Sequence, residues 1–372
     1  MYDVLIKNGL VIDPSQAIHE IKDISILNGR IEAIESSIAS DNAKFVIDAT
    51  GMLVTPGLVD FHTHVLYNVG ELGVEPDLYC LLKGCTTVID AGSSGHLTFK
   101  AFNDFIIKVA KTKIFVFLNI DSLGLLLSGL EKALPLANDE RFIDIDKTVN
   151  LICNNKDIIK GIKWHNPGQF ALLCARRAAD SAKCTLMVEN SAYYWYTVDQ
   201  VLHFLKSGDV MTHCFQGGPG AGILDEDGHL LTSVEKAAKR GVLFDVGHGV
   251  ASFDFEVAEK AINQGFLPHT ISTDLHSKNI NGPVFDLPTT LSKFLLLGLS
   301  IDEVILRSTY MPAKILGQEN RIGTLKVGAV GDVVVWKLEE GKFVYEDSVG
   351  KKRIGEKRLK AVHIINEGKL IK

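Results

Sequence analysis

Leu58-Val59-Asp60-Phe61-His62-Thr63-His64, entered through Pro56-Gly57, is the stretch whose reading decides the fold. An apolar run after a Pro-Gly break reads as a buried strand. In an extended chain, residues i and i+2 point to the same face. His62 and His64 therefore aim both imidazoles at one point. Neutral imidazole is a good ligand for zinc and similar cations. Two unrelated histidines near a turn would leave the same short signature, so the rest of the chain has to decide.

Working outward, apolar strands alternate with helical-period segments. The strand segments are Leu58 to His64, Thr86 to Ala91, Ile114 to Ile120, Ile158 to Trp164, Cys184 to Glu189, Val210 to Cys214, Val242 to Gly247 and Thr270 to Asp274. Amphipathic stretches lie between them: Leu97 to Lys111, Phe170 to Lys183, Val198 to Lys206, Thr232 to Arg240 and Phe255 to Gln264. Strand–helix alternation means parallel pairing through crossovers. Eight such units predict an α/β fold, a (β/α)8 TIM barrel over residues 56–311. An open doubly wound sheet is disfavoured, because no Gly-x-Gly-x-x-Gly follows the first strand. A barrel puts its chemistry at the C-terminal strand ends. There the sequence holds His62, His64, Lys163, His165, Glu189, His213, His248, Asp274 and His276, six of the twelve histidines among them. Any one of these alone is more simply a surface lysine, a loop histidine or a helix cap. Their joint position points to a metal site. Asp90 and Asp121 end two further strands and read as structural.

The flanks differ. Tyr2 to Lys7, Gly9 to Ile12, Asp23 to Leu27, Arg30 to Ile34 and Phe45 to Asp48 are short strands, with Asn8-Gly9 and Asn28-Gly29 as hairpin signals. This predicts a small antiparallel unit. Strand character returns at Gly328 to Trp336 and Ala361 to Ile365 after helices at Asp302 to Leu306 and Pro312 to Leu316. Residues 1–55 and 312–372 are thus expected to form one discontinuous β-sandwich domain. The basic run Lys351-Lys352-Arg353, with Lys357-Arg358, reads as a solvated loop.

Composition limits the function classes. The chain has 372 residues, 46% apolar and 23% charged, with a net charge of -6. That balance offers no electrostatic footprint for nucleic acid or an anionic membrane. No apolar stretch is long enough to span a bilayer, and the N-terminus lacks a signal-peptide core. A cytoplasmic location is expected. The six cysteines include no Cys-x-x-Cys pair and read as reduced thiols.

Two longer motifs add a resemblance. Asp48 through His64 (DATGMLVTPGLVDFHTH) and Gly323 through Asp332 (GTLKVGAVGD) resemble the entry and exit motifs of the amidohydrolase superfamily, the metal-dependent hydrolases that include dihydroorotase, hydantoinase, urease and adenine deaminase. Thr212 to Phe215, Phe244 to Gly249, Ser272 to His276 and Gly282 to Thr290 are similar to a dihydroorotase-like deacetylase branch. The resemblance implies one or two divalent metals, zinc or manganese, and a carbamate on Lys163 bridging them. It implies His62, His64 and Asp274 on one metal and His213 on the other. It implies a metal-activated hydroxide, with Asp274 as the catalytic proton shuttle. The family places histidine at the fifth strand end, where this chain has Glu189. Either Glu189 completes the second metal site or it turns away and leaves one metal; a one-residue shift would put Asn190 there. His248, His276 and Gln216, the last in the glycine-rich loop Gln216 to Gly222, are the substrate-binding candidates. Tyr193, Tyr194 and Trp195 could stack on a substrate. The expected function is hydrolysis of a cyclic amide, an N-acyl amide or a related acyl ester. The small-molecule enzyme is expected to form a homo-oligomer. The competing readings are a hydrolytically impaired homologue that serves as a binding or scaffold protein, and a nucleobase deaminase.

Overall fold

The strand that ends in the two histidines is β6, Leu58–Thr63, buried at every residue. It is one edge of a seven-stranded sheet in a computed structural model that describes residues 1–127, 139–165, 168–189, 197–218 and 221–372. The others are β7 (Cys85–Ala91), β8 (Lys113–Asn119), β9 (Ile159–Trp164), β10 (Thr185–Glu189), β11 (Val210–Thr212) and β12 (Leu243–Phe244). Every neighbouring pair is parallel, and spatial order follows chain order. Helices cover the sheet. Gln169–Ala182 buries Ala171, Leu172, Cys174, Ala175, Ala178, Ala179 and Ala182. That is a helical stripe of small side chains, which lets the helix sit close to the strands. Thr232–Arg240 falls where its periodicity predicts, ended by Gly241 in the left-handed conformation. No helix among the described residues is long and apolar enough to cross a membrane.

Several expectations need correction. Thr270 to Asp274 is not a strand. It makes isolated parallel bridges instead, Thr270 to Asp245 and Leu275 to Thr63, and these join the two edges of the sheet. Its Ser272 and Thr273 hydroxyls and the Asp274 amide are drawn into long-range bonds to Asp245, Asp60 and His62, which replace a regular ladder. Val242 to Gly247 shrinks to two ladder residues because Gly247 turns at φ 48°. Leu97 to Lys111 is a single helical turn, Phe99–Phe102, followed by a wider turn at Asn103–Ile107.

The terminal strands join one mixed eight-stranded sheet: β1 (Tyr2–Asp13), β2 (Ile18–Leu27), β3 (Arg30–Glu35), β4 (Ala43–Asp48), β5 (Leu53–Pro56), β13 (Val333–Glu346), β14 (Lys352–Asn366) and β15 (Lys369–Leu370). It has its own apolar cluster, including Val4, Ile6, Ile24, Ile26, Val333, Val335 and Ile365. The expected all-antiparallel pairing fails, since β1 runs parallel to both β4 and β5. Lys352, Arg353, Lys357 and Arg358 lie within β14 rather than in a loop; Arg353 pairs with Glu259 at 3.0 Å.

Asn8-Gly9 is a bulge inside β1 and not a hairpin. The cause is Asp23 opposite. Its carboxylate accepts from Lys7 Nζ at 2.7 Å and from the Asn8 and Ile38 amides at 2.8 Å each. Burial opposes ionisation, but these donors hold the Asp23 carboxyl below its ordinary value. A depressed pKa contributes stability above the unfolded value of 3.8 that is lost as pH falls. Asp23→Ala should therefore destabilise the chain by about 2–3 kcal/mol at pH 7. The gap to wild type should narrow in denaturant melts below the unfolded value; an equal gap at both pH values would remove the ionic role.

Candidate metal centre

Backbone pairing brings the first and last strand segments together. The Asp274 amide donates to the His62 carbonyl at 2.7 Å, and the His64 amide to the Leu275 carbonyl at 2.9 Å. His62 Nε2 then lies 3.5 Å, and His64 Nε2 3.0 Å, from Asp274 Oδ1. His213 arrives from the end of β11, its ring stacked 5.1 Å from that of His62. One ligand atom each from His62, His213 and Asp274 all lie within 4.8 Å of one another.

The tautomers follow from the partners. The Thr212 hydroxyl spends its hydrogen on Asp245 Oδ2 at 2.7 Å, so it accepts from His62 Nδ1 at 2.9 Å. His213 Nδ1 faces the Gly247 carbonyl at 2.7 Å and must donate to it. Both rings thus turn an Nε2 lone pair to the cluster, and such outer partners are what orient metal-binding histidines. His64 Nδ1 is 3.0 Å from the Ser93 hydroxyl. Two ligands of a tetrahedral zinc stand about 3.4 Å apart, close to the His62–Asp274 spacing. The donor set fits a divalent cation.

Charge is arranged to match. Burial and the neighbouring Lys163 push His62 down to about 3. Burial works against the Asp274 carboxylate, yet His62 and His64 hold its pKa well below the usual range. His213 and Asp274 both adopt left-handed backbone, at φ 62° and 51°. Strain of this kind in non-glycine residues collects at functional sites.

Lys163 and Glu189 complete the cluster. Lys163 is wholly buried at the end of β9, its stem passing over Gly92, where a Cβ would come within 2.7 Å of Cγ. Its Nζ lies 3.0 Å from Glu189 Oε2 and 3.5 Å from His62 Nε2. Glu189 Oε2 is 3.6 Å from His213 Nε2, and its other oxygen bonds His165 Nδ1. Burial opposes the charge on Glu189, but His165 and Lys163 hold its pKa far down. So Glu189 turns into the cluster and not away from it.

The substrate candidates separate. His276 stays at the rim, its ring 6.3 Å from that of His64, and burial lowers it to about 4. Gln216 is buried, with its amide on the Ala221 carbonyl at 3.3 Å. His248 is turned elsewhere: Nε2 is 2.7 Å from Lys293 Nζ, and Nδ1 is 3.0 Å from the Gly249 carbonyl. Both of its nitrogens are engaged within the protein. Asp90 accepts from the Val65 and Ser93 amides, as a structural residue would. Asp121 accepts from the Leu123 amide, and burial raises it to about 6. Tyr193, Tyr194, Trp195, Asn190, Pro219 and Gly220 lie outside the described residues. Sequence reasoning missed Asp245, Thr212, Ser93 and Lys293. Asp245 had a signal, a carboxylate directly after an apolar strand; Lys293, inside a helix, had none.

A parallel α/β half-barrel with titratable groups gathered at its strand ends places the chain among the barrel hydrolases. It belongs to the amidohydrolase family, whose model matches residues 53–360, and is a hydrolase acting on carbon–nitrogen bonds. It is 36% identical over 338 residues to a deacetylase of Agrobacterium fabrum, covering 87% of this chain and 80% of that protein. A crystal structure described as an adenine deaminase matches with a TM-score of 0.89 and 30% identity, over 100% of this chain and 99% of the other. One described as a dihydroorotase matches with a TM-score of 0.89 and 32% identity, over 100% and 98%.

Proposed function

We propose that this chain is a metal-dependent deacylase of small molecules, hydrolysing an N-acyl amide or a related acyl ester, with cyclic amides as the neighbouring substrate class. The observation that carries the reading is the convergence of His62, His213 and Asp274 ligand atoms within 4.8 Å. Its preference for acyl groups rests on the deacetylase relative that spans most of the chain. In this reading residues 56–311 form a closed (β/α)8 barrel. The 1–55 and 312–372 segments fold over their own core as a β-sandwich, and the protein is a cytoplasmic homo-oligomer.

His62, His64 and Asp274 would hold one cation, and Glu189 and His213 a second, with Lys163 as a shared carbamate ligand; as an ammonium, Lys163 would instead pair with Glu189 and ligate nothing. Zinc or manganese there supplies Lewis acidity to a carbonyl and acidity to a water. Asp274, its side chain 13% exposed at the mouth, receives the proton of the attacking water and returns it to the leaving nitrogen. His276 orients the acyl group from the rim, and Gln216 is the second substrate-binding candidate. A second reading, nucleobase deamination, is favoured by the likeness to the adenine deaminase structure. A binding or scaffold role is disfavoured by the retained His62, His64, Lys163, His213 and Asp274.

The test is a library of N-acyl amino acids, acyl esters, cyclic ureides and aminopurines, read for new carboxylate and for ammonia. Carboxylate release without ammonia is expected, abolished by chelation and restored by zinc or manganese. Ammonia from an aminopurine would establish the second reading. A protein holding less than about one metal equivalent and unresponsive to added metal would end the metal-dependent reading.

A further inference from the structure

The helix Leu287–Leu296 carries a wholly buried lysine, Lys293, that the chemistry above does not use. A buried ammonium is costly unless its hydrogens are satisfied. Three acceptors surround this one: the Pro283 carbonyl at 2.8 Å, the Glu346 carbonyl at 2.8 Å and His248 Nε2 at 2.7 Å. The three come from three separate parts of the chain, and Glu346 ends β13 of the terminal sheet. The His248 ring is fixed on a second side by stacking on Phe253 at 4.5 Å.

What His248 holds is a short loop against the metal centre. Gly247 and Gly249 both turn left-handed, at φ 48° and 52°, so His248 points away while the backbone on either side faces the cluster. The Gly247 carbonyl takes the His213 Nδ1 proton at 2.7 Å. Gly249 lies so close to Asp274 that a Cβ there would be 2.5 Å from Oδ2. Ser348, in the turn after β13, closes the clamp, its hydroxyl 3.0 Å from the His248 carbonyl and 2.9 Å from that of Gly249.

We propose that Lys293 is a positioning residue for the metal centre: by anchoring His248 it keeps the Gly247 carbonyl on His213 and the Gly249 backbone against Asp274. The terminal sheet, through Glu346 and Ser348, is then part of the site's support. The inference rests on the metal-dependent reading above.

The test uses metal-free full-length protein titrated with Co2+, whose visible bands report ligand geometry. Lys293→Met keeps the stem and removes the donors. It should weaken Co2+ binding about 10- to 100-fold, the usual scale for losing an outer partner of a metal ligand, and change the band shape. Ser292→Ala is the control for mere damage to the helix. Its hydroxyl accepts from the Leu359 amide at 3.1 Å and donates to the Pro288 carbonyl, neither of them in the loop. It should lower the melting temperature and leave the Co2+ spectrum and affinity unchanged. If Lys293→Met does not fold, Ser348→Ala replaces it and must shift the same bands in a weaker form. A wild-type spectrum and affinity in the folded variant overturns the inference while leaving the metal reading intact. A wild-type protein that binds no Co2+ overturns both.

Discussion

Asp274→Asn is expected to lower kcat by about 10³- to 10⁴-fold, the upper range for a removed general acid–base group, while the protein keeps most of its metal. The substitution isolates the chemistry unusually well. Asp274 sits at φ 51°, a conformation that asparagine and aspartate adopt more readily than other non-glycine residues. The backbone bond to the His62 carbonyl and the packing of Gly249 should survive unchanged. The amide retains one oxygen for the contact now 3.0 Å from His64 Nε2. What it loses is the ability to take a proton. Kinetics beside metal analysis on the same preparation check this. A variant with near-normal turnover would remove Asp274 from proton transfer, and one stripped of metal would make it chiefly a ligand.

The parts of this site that were legible in the sequence share one feature: local period alone fixes where they point. His62 and His64 are i and i+2 on a strand, so their common face is a matter of pleat. Lys163 and Glu189 end parallel strands, so a barrel reading delivers them to one rim. His248 shows where that logic stops. It also follows a strand, but two left-handed glycines reverse the alternation around it, and nothing in Val246-Gly247-His248-Gly249 announces the sign of φ. Asn8-Gly9 failed for a different reason. The pair has ideal hairpin chemistry, and a carboxylate from the next strand converts it to a bulge. Thr270 to Asp274 reads as a strand by composition, but its polar groups are taken up by Asp60 and Asp245: the Thr273 hydroxyl donates to Asp60 at 2.6 Å and the Ser272 hydroxyl to Asp245 at 2.7 Å. In the last two cases a tertiary hydrogen bond overrides a local preference; at His248 the backbone turn does.

Glu189 raises the remaining question, because it gives Lys163 an anion at 3.0 Å. An amine adds carbon dioxide only as the free base, and only as an ammonium does it form an ion pair with a carboxylate. The two states of Lys163 demand different things of its neighbours. As ammonium it neutralises Glu189, which would otherwise rest on His165 and His213. As carbamate it is itself an anion, and Glu189 then needs a cation between them. Lys163→Ala should cost on the order of 10³-fold in activity either way, the scale of losing one electrostatic partner in a preorganised site. The gap it leaves differs in what can refill it. Removal of the stem leaves a space beside Gly92, which has no side chain to fill it. Under the carbamate reading, a short carboxylic acid that takes up that space should restore part of the activity, and a short alkylamine should not. Glu189→Gln in the same background should then add a further loss. If the ammonium is the working form, the alkylamine rescues instead, and Glu189→Gln should relieve the Lys163→Ala defect by removing the charge that Lys163 balanced. Rescue profiles with both additives, measured on the single and double variants, thus assign the state of Lys163 from its own chemistry.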